Sequence, residues 1–118
     1  MITDERMSAF IDSLDKGNSP LLNEIEREAR ETNVPIIRTQ TQSLLRFLLS
    51  VHRPQSILEV GCAIGFSALL MSEYAPQGCR ITTIEKYEKR IPIAKANFAR
   101  AGKDIELLEG DATDILRE

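Results

Sequence analysis

Residues 56–65, Ser-Ile-Leu-Glu-Val-Gly-Cys-Ala-Ile-Gly, constrain the fold of this chain more than any other stretch. Ser56 to Val60 is short and apolar, the pattern of a buried strand. It runs directly into the turn Gly61 to Gly65, and Phe66 to Tyr74 then reads as a helix. Glycines at both ends of the turn permit a tight backbone path and let a ligand approach the main chain. The turn opens onto a helix N-terminus, whose unpaired amides favour a carboxylate or phosphate. Glycine spacing alone does not separate such a site from an ordinary turn. The three-glycine dinucleotide fingerprint is not met, because Ser67 or its neighbours occupy the closing position. A Walker A loop is excluded, since no Gly-Lys-Ser/Thr follows.

The strand-helix pattern then repeats. Arg80 to Ile84 is β-rich and ends at Glu85. Glu88 to Ala101 carries Ile91, Ala94, Phe98 and Ala101 at helical spacing, with Gly102 as its C-cap. Pro92 falls in the first turns, where its missing donor costs least. Ile105 to Leu108 reads as a third strand, ended by Gly110-Asp111. Strand, helix, strand, helix, strand at these spacings predicts an α/β fold with parallel strands and right-handed crossovers.

Three features thus fall at the carboxyl ends of three successive strands, where open α/β sheets place their ligands. The first is the loop from Glu59 through Gly61 to Gly65. The second is Glu85, 24 residues beyond Gly61, placed to accept the ribose hydroxyls of an adenosine cofactor. The third is Gly110-Asp111-Ala112, where Asp111 either bonds an adenine amino group or caps a helix beginning near Asp114-Ile115-Leu116. Each alone reads as a turn or a surface carboxylate; the coincidence carries the argument.

The N-terminal half reads as helices packed in one layer. Thr3 is placed to cap the first, with Arg6 at the capping-box position and Met7, Phe10, Ile11 and Leu14 as its apolar stripe, ended by Gly17-Asn18. Ser19 caps the second, with Pro20 at its first position and Leu21, Leu22, Ile25 and Ala29 as the buried stripe. It stops near Thr32-Asn33, because Pro35 disfavours helical geometry at Val34. A third covers Thr39 to Val51, carrying Leu44, Leu45, Leu48 and Leu49, and closes at Arg53-Pro54. The boundary between this helical segment (1–54) and the strand-bearing part (55–118) is expected at Pro54.

Composition removes several classes of function. A net charge of −3 gives no general attraction to nucleic acid or anionic membrane, though a local basic face involving Arg38, Arg46 and Arg53 stays open for an RNA acceptor. No signal-peptide pattern occurs near Met1, and no apolar run is long enough to span a bilayer. Cys62 and Cys79 lack metal-site spacing and read as reduced cytoplasmic thiols, Cys62 as packing within the glycine turn. His52, near a helix end, reads as a surface or capping histidine. No nucleophile or metal-ligand set can be named.

Ile57 to Ser67, Ile81 to Glu85 and Leu108 to Ala112 together resemble the cofactor loop, ribose strand and adenine segment of the class I S-adenosylmethionine-dependent O-methyltransferases of the catechol and caffeoyl-coenzyme A type. The resemblance extends over the N-terminal helices. Asn33-Val-Pro-Ile36 is similar to small bacterial members that methylate 5-hydroxyuridine at the transfer RNA wobble position. It implies a Rossmann-like fold and S-adenosylmethionine as cofactor. Glu59 would then lie near the methionine part, Ser67 at its carboxylate, Glu85 at the ribose, and Asp111 and Ala112 at the adenine. It also implies a divalent metal, Mg by expectation, whose two aspartates and asparagine lie in a family segment of roughly a hundred residues with no counterpart here. That segment also supplies the strand pairing on the far side of the first strand. The expectation is therefore an inactive N-terminal half, with Ile57, Leu58 and Val60 at an exposed apolar edge that invites self-association or a complementing chain. Two alternatives stay open: a nicotinamide-dinucleotide oxidoreductase domain, and a non-enzymatic α/β interaction module.

Overall fold

A computed structural model describes residues 4–14 and 17–117; side-chain placement at 11 and 12 is outside the described set. The elements run α1 (Glu5–Ser13), α2 (Pro20–Glu31), α3 (Thr39–His52), β1 (Ser56–Val60), α4 (Phe66–Tyr74), β2 (Arg80–Glu85), α5 (Ile91–Ala101), β3 (Ile105–Glu109) and α6 (Ala112–Ile115). The three strands are parallel in the order β1-β2-β3, with Ser56 opposite Arg80 and Ile81 opposite Ile105. This is the expected α/β, Rossmann-like arrangement.

Local chemistry accounts for most boundaries. Ser19 caps α2 by accepting the Leu22 amide at 3.3 Å, and Pro20 takes the position that needs no donor. Gly102, at φ 65°, ends α5 in the left-handed conformation. That helix starts at Ile91, three residues later than the apolar spacing from Glu88 implies. Pro92 accounts for the shift, because proline is accommodated at the first positions of a helix and disrupts an interior turn.

The sheet is covered on one face. Ile57, Ile81 and Ile105 point toward α3 and α4, where Leu49 and Met71 meet them. Leu22, Ile25 and Ala29 of α2 pack with Phe66, Leu69 and Leu70 of α4 and with Phe98 of α5. The polar Gln42 is buried among them; its amide donates to Glu26 Oε2 and the Ile37 carbonyl, while its oxygen accepts from Asn18. Alternation then turns Leu58 and Val60 to the other face, where they are 55% and 61% exposed. Of the apolar edge expected at Ile57, Leu58 and Val60, the last two are open and Ile57 packs on the covered face, so β1 is an edge strand with one covered face.

Two further corrections concern the helical layer. The Met7, Phe10 and Leu14 stripe is exposed, Phe10 by 61%, because α1 lies outermost in the layer. In α3, Leu49 is buried and Leu45 packs against the core, but Leu44 and Leu48 face outward. Adjacent positions on a helix diverge by about 100°, so four leucines in two neighbouring pairs cannot share one narrow face. Thr3, the expected cap of α1, lies outside the described residues. Asp4 performs that role, its Oδ1 accepting the Met7 amide at 2.8 Å. The helix ends at Ser13, ahead of the expected Gly17-Asn18 stop.

Candidate cofactor site

The glycine loop is a succession of left-handed residues between β1 and α4. Gly61, Ala63 and Gly65 have φ of 84°, 50° and 91°. The two glycines are required for different reasons. A Cβ on Gly61 would meet nothing within 4 Å, so its conformation alone demands glycine and open space lies before it. A Cβ on Gly65 would stand 2.6 Å from Phe98 Cε1. Gly65 therefore admits an aromatic ring of α5 against the backbone, and the ligand-approach role read from sequence falls to Gly61.

The loop is held by hydrogen bonds from three directions. The Gly61 amide donates to the Ile84 carbonyl at 2.7 Å, and the Gly65 amide to the Cys62 carbonyl at 2.7 Å. Asn97 Nδ2 of α5 donates to the Ile64 carbonyl at 2.8 Å. The third anchor is Glu85, only 6% exposed at the end of β2. Its Oε1 accepts the Ala63 amide at 2.6 Å, and its Oε2 accepts the Lys86 and Tyr87 amides at 3.0 Å each. A carboxylate offers about four acceptor positions; three are engaged here. Glu85 is thus a brace for the glycine loop as well as the candidate ribose acceptor.

Glu59 forms a second buried centre under the loop. Its Oε2 accepts the Ser67 hydroxyl through a short hydrogen bond, and its Oε1 accepts the Thr83 hydroxyl at 2.7 Å. Burial raises the Glu59 pKa above its ordinary value, opposed by the two hydroxyl donors. The same burial pushes the Cys62 thiol up to about 11, which removes it from nucleophilic chemistry near neutrality. Ser67 directs its proton to Glu59, which constrains what else it can donate to.

Asp111 stands at the end of β3, exposed, and its Oδ1 accepts the Thr113 amide at 2.8 Å. That bond is the first cause of its lowered pKa. It caps α6, which begins at Ala112 rather than near Asp114. The Gly110 amide donates to the Glu85 carbonyl at 2.9 Å, tying the third strand end to the second.

These strand ends enclose one cavity of about 260 Å³, lined by Gly61, Glu85, Gly110, Asp111 and Ala112 among others. Gly65, Glu59 and Ser67 lie outside its lining, on the helix-covered side of the loop. Sequence reasoning missed Ala63, Thr83 and Asn97. A buried asparagine inside the apolar stripe of α5 was the available signal for Asn97; a threonine within a strand gives none. Of the arginines considered for a basic face, Arg46 is engaged with Asn18 Oδ1 at 2.6 Å, with Ser43, and with the Tyr74 ring at 5.7 Å. Arg38 and Arg53 are exposed.

Comparison with known proteins agrees with this geometry. A family profile described as O-methyltransferase matches residues 12–118. A catechol O-methyltransferase of Mycobacterium tuberculosis is 31% identical over 115 residues, covering 93% of this chain and 52% of the relative. The SAH-bound methyltransferase PaMTH1 of Podospora anserina superposes with a TM-score of 0.87 at 27% identity, covering 99% of this chain and 54% of that one. TomG of Streptomyces achromogenes, an O-methyltransferase solved with SAM, gives 0.81 at 27% identity over 99% and 56%. The chain spans about half the length of these relatives. Fold, strand-end site and profile converge, and the chain belongs to the O-methyltransferase family.

Proposed function

We propose that the protein is an S-adenosylmethionine-dependent O-methyltransferase and that residues 55–118 form the first half of its cofactor-binding domain, with the helices of 1–54 packed against it. The observation that best supports this is the convergence of Gly61, Glu85 and Asp111 on one cavity at the carboxyl edge of three parallel strands. In this reading Glu85 receives the ribose through its remaining acceptor capacity, and Asp111 and Ala112 face the adenine. Gly61 turns the backbone around the ligand, Gly65 seats the loop against Phe98, and Glu59 with Ser67 lies at the ligand's amino-acid end. S-adenosylmethionine, when bound, supplies an electrophilic methyl group on sulfur. The residues of this chain fix the position of that group, and correct placement accounts for a large share of the rate in such transfers.

A hydroxyl is the proposed acceptor. A catechol-like phenol is preferred to 5-hydroxyuridine in transfer RNA, because Arg46 is engaged internally and two separated arginines do not form a basic face. The nicotinamide-dinucleotide and non-enzymatic readings are not favoured, given the family match. Among the described residues no three His, Cys, Asp or Glu side chains gather to hold a metal ion. No step is routed through a divalent metal. No helix among the described residues is long and apolar enough to cross a membrane. A cytoplasmic location and self-association along the exposed Leu58 and Val60 of β1 complete the proposal.

Isothermal titration with S-adenosylhomocysteine tests the cofactor assignment. Saturable binding that weakens in Glu85→Gln is expected. A folded protein that does not bind, or binds equally well after the substitution, would refute it.

A further inference from the structure

Asn97 is buried in the apolar stripe of α5, between the core residues Ala94 and Phe98. Its Nδ2 donates to the Ile64 carbonyl of the glycine loop, and its Oδ1 accepts Arg100 Nη2, each at 2.8 Å. A guanidinium can only donate and a carbonyl can only accept, so these two partners fix which way the amide faces. Arg100 is fixed in turn by Glu28 of α2: its Nη1 and Nη2 reach the two carboxylate oxygens at 3.3 and 3.1 Å, and Glu24 stands 4.0 Å away. Directed hydrogen bonds thus lead from α2 through α5 to the loop. Resting on the cofactor reading above, we propose that Asn97 is a positioning residue for cofactor binding: oriented by the Glu28–Arg100 pair, its amide holds the glycine loop in the shape that receives the ligand.

The loop depends on that donor. Ala63 takes a φ of 50°, a strained conformation for a residue with a Cβ. Glu85 holds the Ala63 amide from the β2 side, and Asn97 holds the Ile64 carbonyl from the α5 side. The Asn97–Ile64 bond is buried, and a carbonyl left unpaired there is costly enough that the loop shifts to reach water. Such a shift draws Ala63 off Glu85 and carries Gly61, which lines the strand-end cavity, with it. Phe98 is no substitute, since its ring packs at Gly65 and offers the carbonyl no donor. The ion pair that orients Asn97 is open to solvent, Glu28 by 40% and Arg100 by 36%, so it can be altered without opening the core.

Titration calorimetry with S-adenosylhomocysteine, paired with urea melts of the same variants, tests the assignment. Arg100→Met keeps the aliphatic stem and removes the donor. It is expected to weaken binding about fivefold or more, as for one hydrogen bond lost from the bound state. Arg100→Lys returns a donor to Asn97 and restores the affinity. The exchanged pair, Glu28→Arg with Arg100→Glu, rebuilds the ion pair and recovers the urea midpoint, yet it offers Asn97 an acceptor where a donor is needed. Binding therefore stays weak, a result that a merely structural tie between α2 and α5 does not give. Asn97→Asp, nearly isosteric, turns an acceptor toward the Ile64 carbonyl and weakens binding at least as much as Arg100→Met. The Arg100 variants, at an exposed position, carry the test should Asn97→Asp fail to fold. Recovery of affinity in the exchanged pair, or undiminished affinity in Arg100→Met, overturns the proposal. Failure of the parent protein to bind S-adenosylhomocysteine overturns the cofactor reading itself.

Discussion

The two glycines of the loop make a sharp prediction, because the structure assigns them different reasons for being glycine. Alanine at Gly61 meets only the conformational penalty of a left-handed residue, about 1–2 kcal/mol, since no atom lies within 4 Å of the new methyl. Alanine at Gly65 meets the same penalty and also a 2.6 Å approach to the Phe98 ring. Overpacking of that kind adds about 1–3 kcal/mol. The ring cannot retreat freely, since Phe98 is 5% exposed within the core around Leu69 and Ala94. Gly65→Ala should therefore be the less stable variant by roughly 1–3 kcal/mol, read as a shift in the urea midpoint at unchanged slope. Gly65→Ala combined with Phe98→Leu should show positive coupling, costing less than the sum of its parts, because the smaller side chain removes the contact. Equal destabilisation by the two single substitutions, or strict additivity in the double variant, would refute the reasoning.

Other consequences are testable on the same footing. Glu85→Ala removes the acceptor of three amides, of which those of the exposed Lys86 and Tyr87 can turn to water; the net loss should be about 2 kcal/mol, and Glu85→Gln should lose less because one acceptor survives for Ala63. Denaturant melts of both variants check this, and equal losses would remove the bracing role. Thiol labelling near neutral pH should modify the half-buried Cys79 and spare the buried Cys62, whose pKa is pushed up to about 11, until the protein unfolds; similar rates at both would contradict that. Because the folded-state pKa of Glu59 is raised, its contribution to stability relative to Glu59→Gln is full below the ordinary value of 4.5 and is lost as pH rises through the raised value. Melts of the two proteins across that range should diverge in this sense, and divergence in the opposite sense would mean that Glu59 is favourably ionised in the fold.

What could be read beforehand was whatever depends on neighbours in sequence. Ser19 with Pro20 marks a helix start, and Gly61, Gly65 and Gly102 sit where the backbone takes positive φ. The strand ends carrying Glu85 and Asp111 follow from the same local patterns. Contacts between distant residues were not legible. That Gly65 must be small for Phe98, or that Thr83 reaches Glu59, appears only once strands and helices are set side by side. The α1 stripe failed for a related reason: periodicity says that a face is apolar, whereas burial depends on what lies opposite, and Phe10 stays exposed. The strand-end positions of Glu85 and Asp111 were legible, but their bonds to Ala63 and Thr113 were not.

The strand register carries a consequence for how the molecule is made. Ser56 pairs with Arg80 and Ile81 with Ile105, a separation of 24 residues in both cases. Each strand therefore joins the one that emerged just before it, and both closures span the same length and meet a similar entropic cost. At a synthesis rate of about 5–20 residues per second, one strand-helix repeat leaves the ribosome every few seconds, far slower than such a loop closes. The sheet can grow one strand at a time in step with translation, each new strand finding its partner already displayed.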